Sequence, residues 1–378
     1  PPATPRNLSR MEFFTSFSGD QSNFEKGKSW LKRKRFRIRI EDGAISAEKG
    51  YLRETGNLLF HLSLILILIG VSVGSLFGMR GEAIINKGER FISLPTSYDT
   101  LTFGKLVNES TLAPFIIEVD GFQAKYDAVT NAPQDYTATV RVTNPGEQTS
   151  QIKKLKVNSP LTFGNTRVYL QANGYSPIVT VRDTAGDVVF QGPVPFLPQD
   201  GNLRSIGAIK VPDARPQIGF VASFLPTFAR DAKQGGISVF PEALDPKLLF
   251  SIWEGDLGLD SGAPQSVYRI DTSKMKRIAL NSLKPGETYN YSSGSITFET
   301  FVPWINLQIV DDPGKKYALY GAIAAILGLL ASLFGRRRRI WIRITSSGVV
   351  EVAGLAKNGA PGLEEEIATL VAFMRDEK

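Results

Sequence analysis

The 378 residues contain no cysteine. Disulfide staples, zinc-thiolate sites and CxxC redox chemistry are therefore excluded, and thiol exchange is not work this chain does itself. Histidine is almost as scarce: His61 is the only one, so no histidine-containing triad and no HExxH site can be assembled. A P-loop and a GxGxxG turn after a strand are missing as well. Four methionines, Met11, Met79, Met275 and Met374, hold the only sulfur.

Charge is locally absent in two places. Asn57 to Gly78 (NLLFHLSLILILIGVSVGSLFG) carries none, and as a helix it covers ~33 Å, enough to cross a bilayer's hydrocarbon core. Tyr317 to Phe334 (YALYGAIAAILGLLASLF) is a second such run, ~27 Å long as a helix. It is followed at once by Arg336 to Arg339. The two runs are read as transmembrane helices.

His61 lies within the first of them. An ionisable ring inside a span is a functional-site hypothesis by default. At about 100° per residue, Ser72 falls roughly 20° and Ser75 roughly 40° from His61, so one face gathers the polar side chains apart from Ser63. Gly70, Gly74 and Gly78 recur every four residues on another face, as two overlapping GxxxG patterns, and are read as helix-packing residues. Such a helix suits two neighbours, one met through close backbone approach and one through His61. Two readings of His61 stand at this point. It hydrogen-bonds a neighbouring helix, or its imidazole ligates a metal or haem iron.

The net charge of +7 is unevenly spread. Residues 1–56 hold 12 Lys+Arg against 7 Asp+Glu, residues 335–378 hold 8 against 6, and residues 79–316 hold 24 of each. The positive-inside rule then puts both ends in the cytoplasm and the central part across the membrane. Both basic clusters flank spans and neither is interleaved with aromatics, so they are read as topology signals, and nucleic acid is not an expected partner.

Residues 1–31 show no clean period and are left irregular. Phe36, Ile38 and Ile40 alternate with arginines before a turn at Glu41-Asp42-Gly43. Ile340, Ile342 and Ile344 do the same before Ser346-Ser347-Gly348. Two hairpins thus adjoin the two spans, and because a lone hairpin is marginal in water they are expected to pair into one small sheet. A stripe of Leu363, Ile367, Leu370, Val371 and Met374 predicts a helix over Gly362 to Arg375 that covers it. The middle part reads as short strands: Tyr136–Thr143, Thr166–Ala172, Ile178–Arg182, Val188–Gln191 and Ser295–Thr300. Turn signals fall at Asn144-Pro145-Gly146, Asn173-Gly174, Ala185-Gly186-Asp187 and Pro285-Gly286. The Pro-rich patch Gly192 to Asp200 reads as an ordered crossing loop, Trp304 as an interfacial anchor, and Asp311-Asp312 before Pro313-Gly314 as a turn.

The fold class expected is a membrane protein in which two transmembrane α-helices flank a large β-rich extracytoplasmic domain, sandwich or open-barrel-like, with a small cytoplasmic β-hairpin and helix unit. The boundaries are 1–56, 57–78, 79–316, 317–334 and 335–378.

Arg53-Glu54-Thr55-Gly56 followed by NLLFHLSLILILIGVSVGSLFGMRG resembles the corresponding helix of the ResB/CcsB proteins of cytochrome c biogenesis (System II). The likeness continues through GERFISLPTSYDTLTFGKLV, RVYLQANGYSPIVTVRD, GPVPFLPQDGN and GDLGLDSGAPQSVY to the second span and its RRRR. It covers nearly the whole chain and looks closest to actinobacterial members. The resemblance implies that the chain works with a CcsA/ResC-type membrane protein, moving haem across the membrane for attachment to apocytochrome c. The partner carries the tryptophan-rich haem-handling segment, and no WWD cluster is found here. The resemblance also implies that His61 matches a histidine that ligates haem b in the membrane, opposite a histidine of the partner. No other metal is expected, and whether Met79 or a tyrosine serves as second ligand stays open. Family members usually carry two further spans before this point, so the chain is expected to be a piece of a longer protein. Thiol-reducing System II components and membrane lipid complete the expected surroundings. The chain itself is expected to be a non-catalytic or accessory subunit of a haem lyase. The alternative from another class is a membrane-anchored adaptor whose outer β-domain binds a partner protein without handling haem.

Overall fold

The computed structural model describes residues 1–144, 146–147, 149–233, 235–259, 266–335, 337–356 and 362–376. Pro145 of one expected turn, Arg336 of the basic run and residues 260–265 of the stretch GDLGLDSGAPQSVY lie outside the described residues. Two compact units emerge, Pro1–Val73 with Gly314–Lys378, and Gly74–Pro313.

In the first unit the two hairpins do pair. A five-stranded antiparallel sheet runs in the order Phe13–Ser18, Val349–Ala356, Arg338–Ile344, Ala44–Lys49, Arg37–Glu41. Its central join sets Ile342 opposite Ile45 and Trp341 opposite Ser46. One face is covered by helices α1 (Gln21–Arg33) and α4 (Leu363–Arg375). Phe17, Ile45, Ile340, Ile342, Val350 and Val352 form the sheet side of that core. Phe24, Trp30, Leu31 and the α4 stripe Leu363, Ile367, Leu370 and Met374 close it from above.

The stretch 1–31 is thus ordered rather than irregular. Its signals were a cap and an alternation. Asp20 accepts hydrogen bonds from the Ser22 and Asn23 amides while the Asn23 side chain accepts one from the Asp20 amide, a reciprocal box that opens α1. Phe13, Thr15 and Phe17 alternate inward along the strand before it.

Glu48, at the end of a central strand, is 3% exposed. It accepts hydrogen bonds from Arg337 and, at 2.9 Å, from Arg339. Arg337 also reaches Glu54, Arg338 pairs with Glu366 and Arg343 with Glu351. Burial alone would raise the Glu48 carboxyl, but hydrogen bonds from the two guanidiniums, and their charge, outweigh it and hold the group below its ordinary value.

Two helices, α2 (Leu52–Phe77) and α3 (Lys315–Phe334), are long and apolar enough to cross a membrane. They extend the runs 57–78 and 317–334 mainly at their N-terminal ends. Their seam is built from small residues seven apart: Gly56, Ser63 and Gly70 are the buried residues of α2, and Gly321 and Gly328 those of α3. A Cβ added at Gly56 would stand 2.6 Å from the Gly328 carbonyl oxygen, and one at Gly70 would stand 2.5 Å from the Ala318 amide. One at Gly321 would stand 3.0 Å from the Ile67 amide. Backbones approach this closely only where side chains are missing.

The second unit is β-rich and organised on one long antiparallel pair, Thr166–Arg182 with Gly294–Asp311. The reading of Thr166–Ala172 and Ile178–Arg182 as separate strands with a turn at Asn173-Gly174 is corrected here: the strand is continuous, and Gly174 sits opposite Trp304. A Cβ at Gly174 would come within 2.4 Å of the indole, so glycine clears space for the ring rather than making a turn. Trp304 is no interfacial anchor either. It is 2% exposed, and its ring N–H donates to the Tyr175 and Phe196 carbonyls at 3.2 and 3.1 Å.

On one side of Trp304 the pair contributes Val168, Leu170, Ile305, Leu307 and Ile309 to a core shared with the strand Met79–Asn86 and the four-stranded sheet that carries Ile117 and Val140. On the other side it contributes Val179, Val181, Ile296 and Phe298 to a core with the five-stranded sheet that carries Phe220 and Phe250. The Pro-rich stretch passes from one sheet to the next: Val188–Pro193 pairs with the long strand and Leu197–Pro198 with Ser205–Val211. Asp183 accepts hydrogen bonds from the Ala185 and Asp187 amides to close the expected hairpin.

Two measurements check these contacts. A Cβ at Gly56 would stand 2.6 Å from both the Gly328 carbonyl and the Ser332 amide, so Gly56→Leu should force the two helices apart and lower the thermal midpoint of the full chain in detergent by several degrees, whereas Leu64→Ala, on the exposed face of the same helix, should leave it nearly unchanged. Glu48→Gln should cost roughly 1–3 kcal/mol in chemical denaturation at neutral pH, less than a fully buried pair because the arginines keep some water. Because the folded-state value is depressed, this stabilisation is complete above the ordinary glutamate value of 4.5 and fades as pH falls through the lower folded value. The parent and the variant should therefore converge in acid, and a constant difference down to strongly acidic pH would remove the ion pair as its source.

Candidate functional site

A helix that uses one face for its partner has the opposite face to offer. The seam residues Gly56, Ser63 and Gly70 lie on one line along α2. His61 is two residues before Ser63, hence about 160° around from that line. Its ring is exposed, and its ring contact is with the neighbouring Phe60, edge to face at 5.4 Å between centroids. Among the described residues neither imidazole nitrogen has a hydrogen-bond partner. Leu64, Leu68, Ser72 and Ser75 are exposed along the same face, and the Ser72 hydroxyl is satisfied internally by the Leu68 carbonyl at 2.8 Å. Ser63, the polar residue off this face, donates to the Phe60 carbonyl at 2.6 Å and is buried in the seam.

The glycines singled out from the sequence separate in the structure. Gly70 is in the seam, against Ala318 and Gly314. Gly74 faces the Asp312 carboxylate, 2.6 Å from where its Cβ would be, and Gly78 lies just past the helix end, its amide donating to the Gly74 carbonyl. Gly56, Ser63, Gly321 and Gly328 were not picked out beforehand. A seven-residue spacing of small residues in both runs was the available signal, overshadowed by the more familiar four-residue one.

An exposed imidazole suits one axial position on an iron. Met79 is 6% exposed and packed in a β core, so its thioether is engaged there. The tyrosines of α3, Tyr317 and Tyr320, belong to the helix packed on the far side of α2 from His61. Neither α2 nor α3 supplies a second ligand on the His61 face. Asp311 and Asp312 end the long strand at a turn, where burial raises the Asp311 carboxyl and the charge of Asp312 adds to the effect. Among the described residues no group of three or more His, Cys, Asp or Glu side chains could hold a metal ion.

Comparison with known proteins gives the chain its relatives. "Cytochrome c biogenesis protein CcsB" of Prochlorococcus marinus (strain NATL2A) is 23% identical over 355 residues, covering 93% of this chain and 69% of that protein. Proteins of the same name from Prochlorococcus marinus (strain MIT 9303) and Synechococcus sp. (strain CC9311) are each 25% identical, covering 97% of this chain and 73% of theirs. The profile described as the ResB-like family matches residues 1–368, and with the two apolar helices and the β-rich body in place, the chain belongs to the ResB-like family.

Proposed function

We propose that this chain acts in cytochrome c maturation as the ResB/CcsB-type subunit of a System II synthase, where with a CcsA/ResC-type membrane protein it carries haem across the membrane and presents it to apocytochrome c. The observation that carries this reading is His61: the sole imidazole of the chain, exposed on a membrane-length helix, facing away from the only other such helix among the described residues. Haem, as the substrate, supplies the vinyl groups that the apocytochrome's cysteine thiols attack. The contribution of this chain is positional. α3 holds α2 through the glycine seam, and α2 holds the imidazole at one depth and one azimuth, so that a partner helix bringing a second imidazole completes the pair of ligands.

In this reading residues 1–56 and 335–378 lie in the cytoplasm and residues 79–316 on the outer side, as the distribution of Lys and Arg favours. The outer β body has no cysteine and no histidine in it, and it serves as a scaffold that holds apocytochrome c or the partner while the thioether bonds form. The missing cysteines also spare it mixed disulfides with the reduced apocytochrome.

The test is a reduced-minus-oxidised absorption spectrum of the complete protein co-purified with its CcsA-type partner, parent against His61→Ala. Haem is expected in the parent and at least about tenfold depleted in the variant while the partner is retained, since removing one of two axial ligands forfeits most of the affinity. Equal haem in both, or haem in neither, would make His61 a packing residue and leave the adaptor role.

A further inference from the structure

The five-stranded sheet has two edges, and they are built differently. The outer strand Arg37–Glu41 (RIRIE) carries Arg37, Arg39 and Glu41, the charged residues with which edge strands are kept from pairing. The strand at the other edge, Phe13–Ser18 (FFTSFS), has no charge, no proline and no break in its register with Val349–Ala356. Among the described residues no strand pairs with its outer side. Half of its peptide groups along that side are therefore unclaimed by the sheet.

Helix α4 runs beside this edge and makes it one wall of a groove of about 430 Å³. Phe13 and Thr15 line the strand side, Ile367 and Val371 the helix side, with Glu12 and Glu364 at one end. The walls match in length: six residues of strand and thirteen of helix each span about 20 Å. At the other end the Arg375 guanidinium lies over the Phe17 ring, 4.8 Å from its centroid. An open edge, a floor in which the apolar side chains Phe13, Ile367 and Val371 alternate with polar groups, and a length of about six extended residues are the features with which sheets capture a peptide as an added strand. Glu12 and Glu364 are both exposed, so the charge complement at that end is lysine or arginine.

We propose that this groove takes an extended apolar segment bearing lysine or arginine, supplied by a cytoplasmic loop of the membrane partner, which adds as a sixth strand beside Phe13–Ser18. The source rests on the topology proposed above, because loops next to spans on the cytoplasmic side carry the Lys and Arg excess. The chemistry of the groove does not rest on it.

Two experiments separate chemistry from source. Fluorescence anisotropy of the full chain in detergent would be followed with a labelled peptide of about eight alternating valines and lysines, against its valine and glutamate counterpart. The lysine peptide should bind at least about tenfold tighter, and Glu364→Lys should abolish that preference. Val371→Asp should weaken both peptides. His61→Ala should change nothing, which keeps this result independent of the haem reading. Equal binding of the two peptides, or binding indifferent to Glu364→Lys, would overturn the proposal. Glu364 is exposed, so this variant carries the test should Val371→Asp fail to fold. A photo-reactive phenylalanine analogue at Phe14 in the co-purified complex should then give an adduct in a Lys- or Arg-rich loop of the partner. No adduct, or one to a second copy of this chain, would overturn the assigned source.

Discussion

The approach of two backbones across Gly56, Ser63 and Gly70 on one helix and Gly321 and Gly328 on the other is the constraint on which the functional reading depends. Lipid tails are as apolar as leucine, so association inside a bilayer draws on close packing instead of the hydrophobic effect. Small residues permit that packing along one line only. Fixing that line fixes the azimuth of everything else on α2, and His61 falls almost opposite it. The leucines and isoleucines between are exposed to what surrounds the pair, as they should be in hydrocarbon. A single geometric commitment thus separates a structural face from a presenting face.

The terminal unit solves a different problem. Two hairpins, each too small to hold in water, are brought from opposite ends of the chain to share the join between Ala44–Lys49 and Arg338–Ile344. Their common apolar face supports α1 and α4. Each hairpin immediately adjoins one apolar helix, so the sheet also fixes the distance between the helix ends. In the β body a comparable role falls to Trp304, whose ring fills the space cleared by Gly174 and whose N–H satisfies two carbonyls. It lies where one long strand pair changes from one core to the next.

The sequence disclosed its two long apolar helices, its hairpins and its terminal helix because each rests on a local pattern: uncharged length, period two, or a stripe at 3.6. His61 was legible through scarcity. Where local signals and tertiary packing compete, the sequence misleads. Asn173-Gly174 has turn chemistry, yet Gly174 is glycine because the indole of Trp304, far along the chain, needs the room. Trp304 stands near a span and invites an interfacial reading, but strand pairing carries it inward. The capping box at Asp20 and Asn23 was missed since neither residue is a glutamate or glutamine, the more familiar partners in that motif. The glycine seam needed two distant runs to be compared at the same spacing, which no window on one helix reveals.

The arginines after α3 have two duties separated in time. As the chain emerges they are bare charges beside an apolar segment, and in the proposed topology it is their number that holds that end in the cytoplasm. Once the sheet closes, Arg337 and Arg339 converge on the Glu48 carboxylate and Arg338 on Glu366, and the charge that oriented the chain is neutralised inside the fold it made possible. Insertion reads these residues as a count, whereas folding reads them as a geometry. Lysine in their place would preserve the first message and garble the second, because an ammonium lacks the planar fork with which two guanidiniums share one carboxylate.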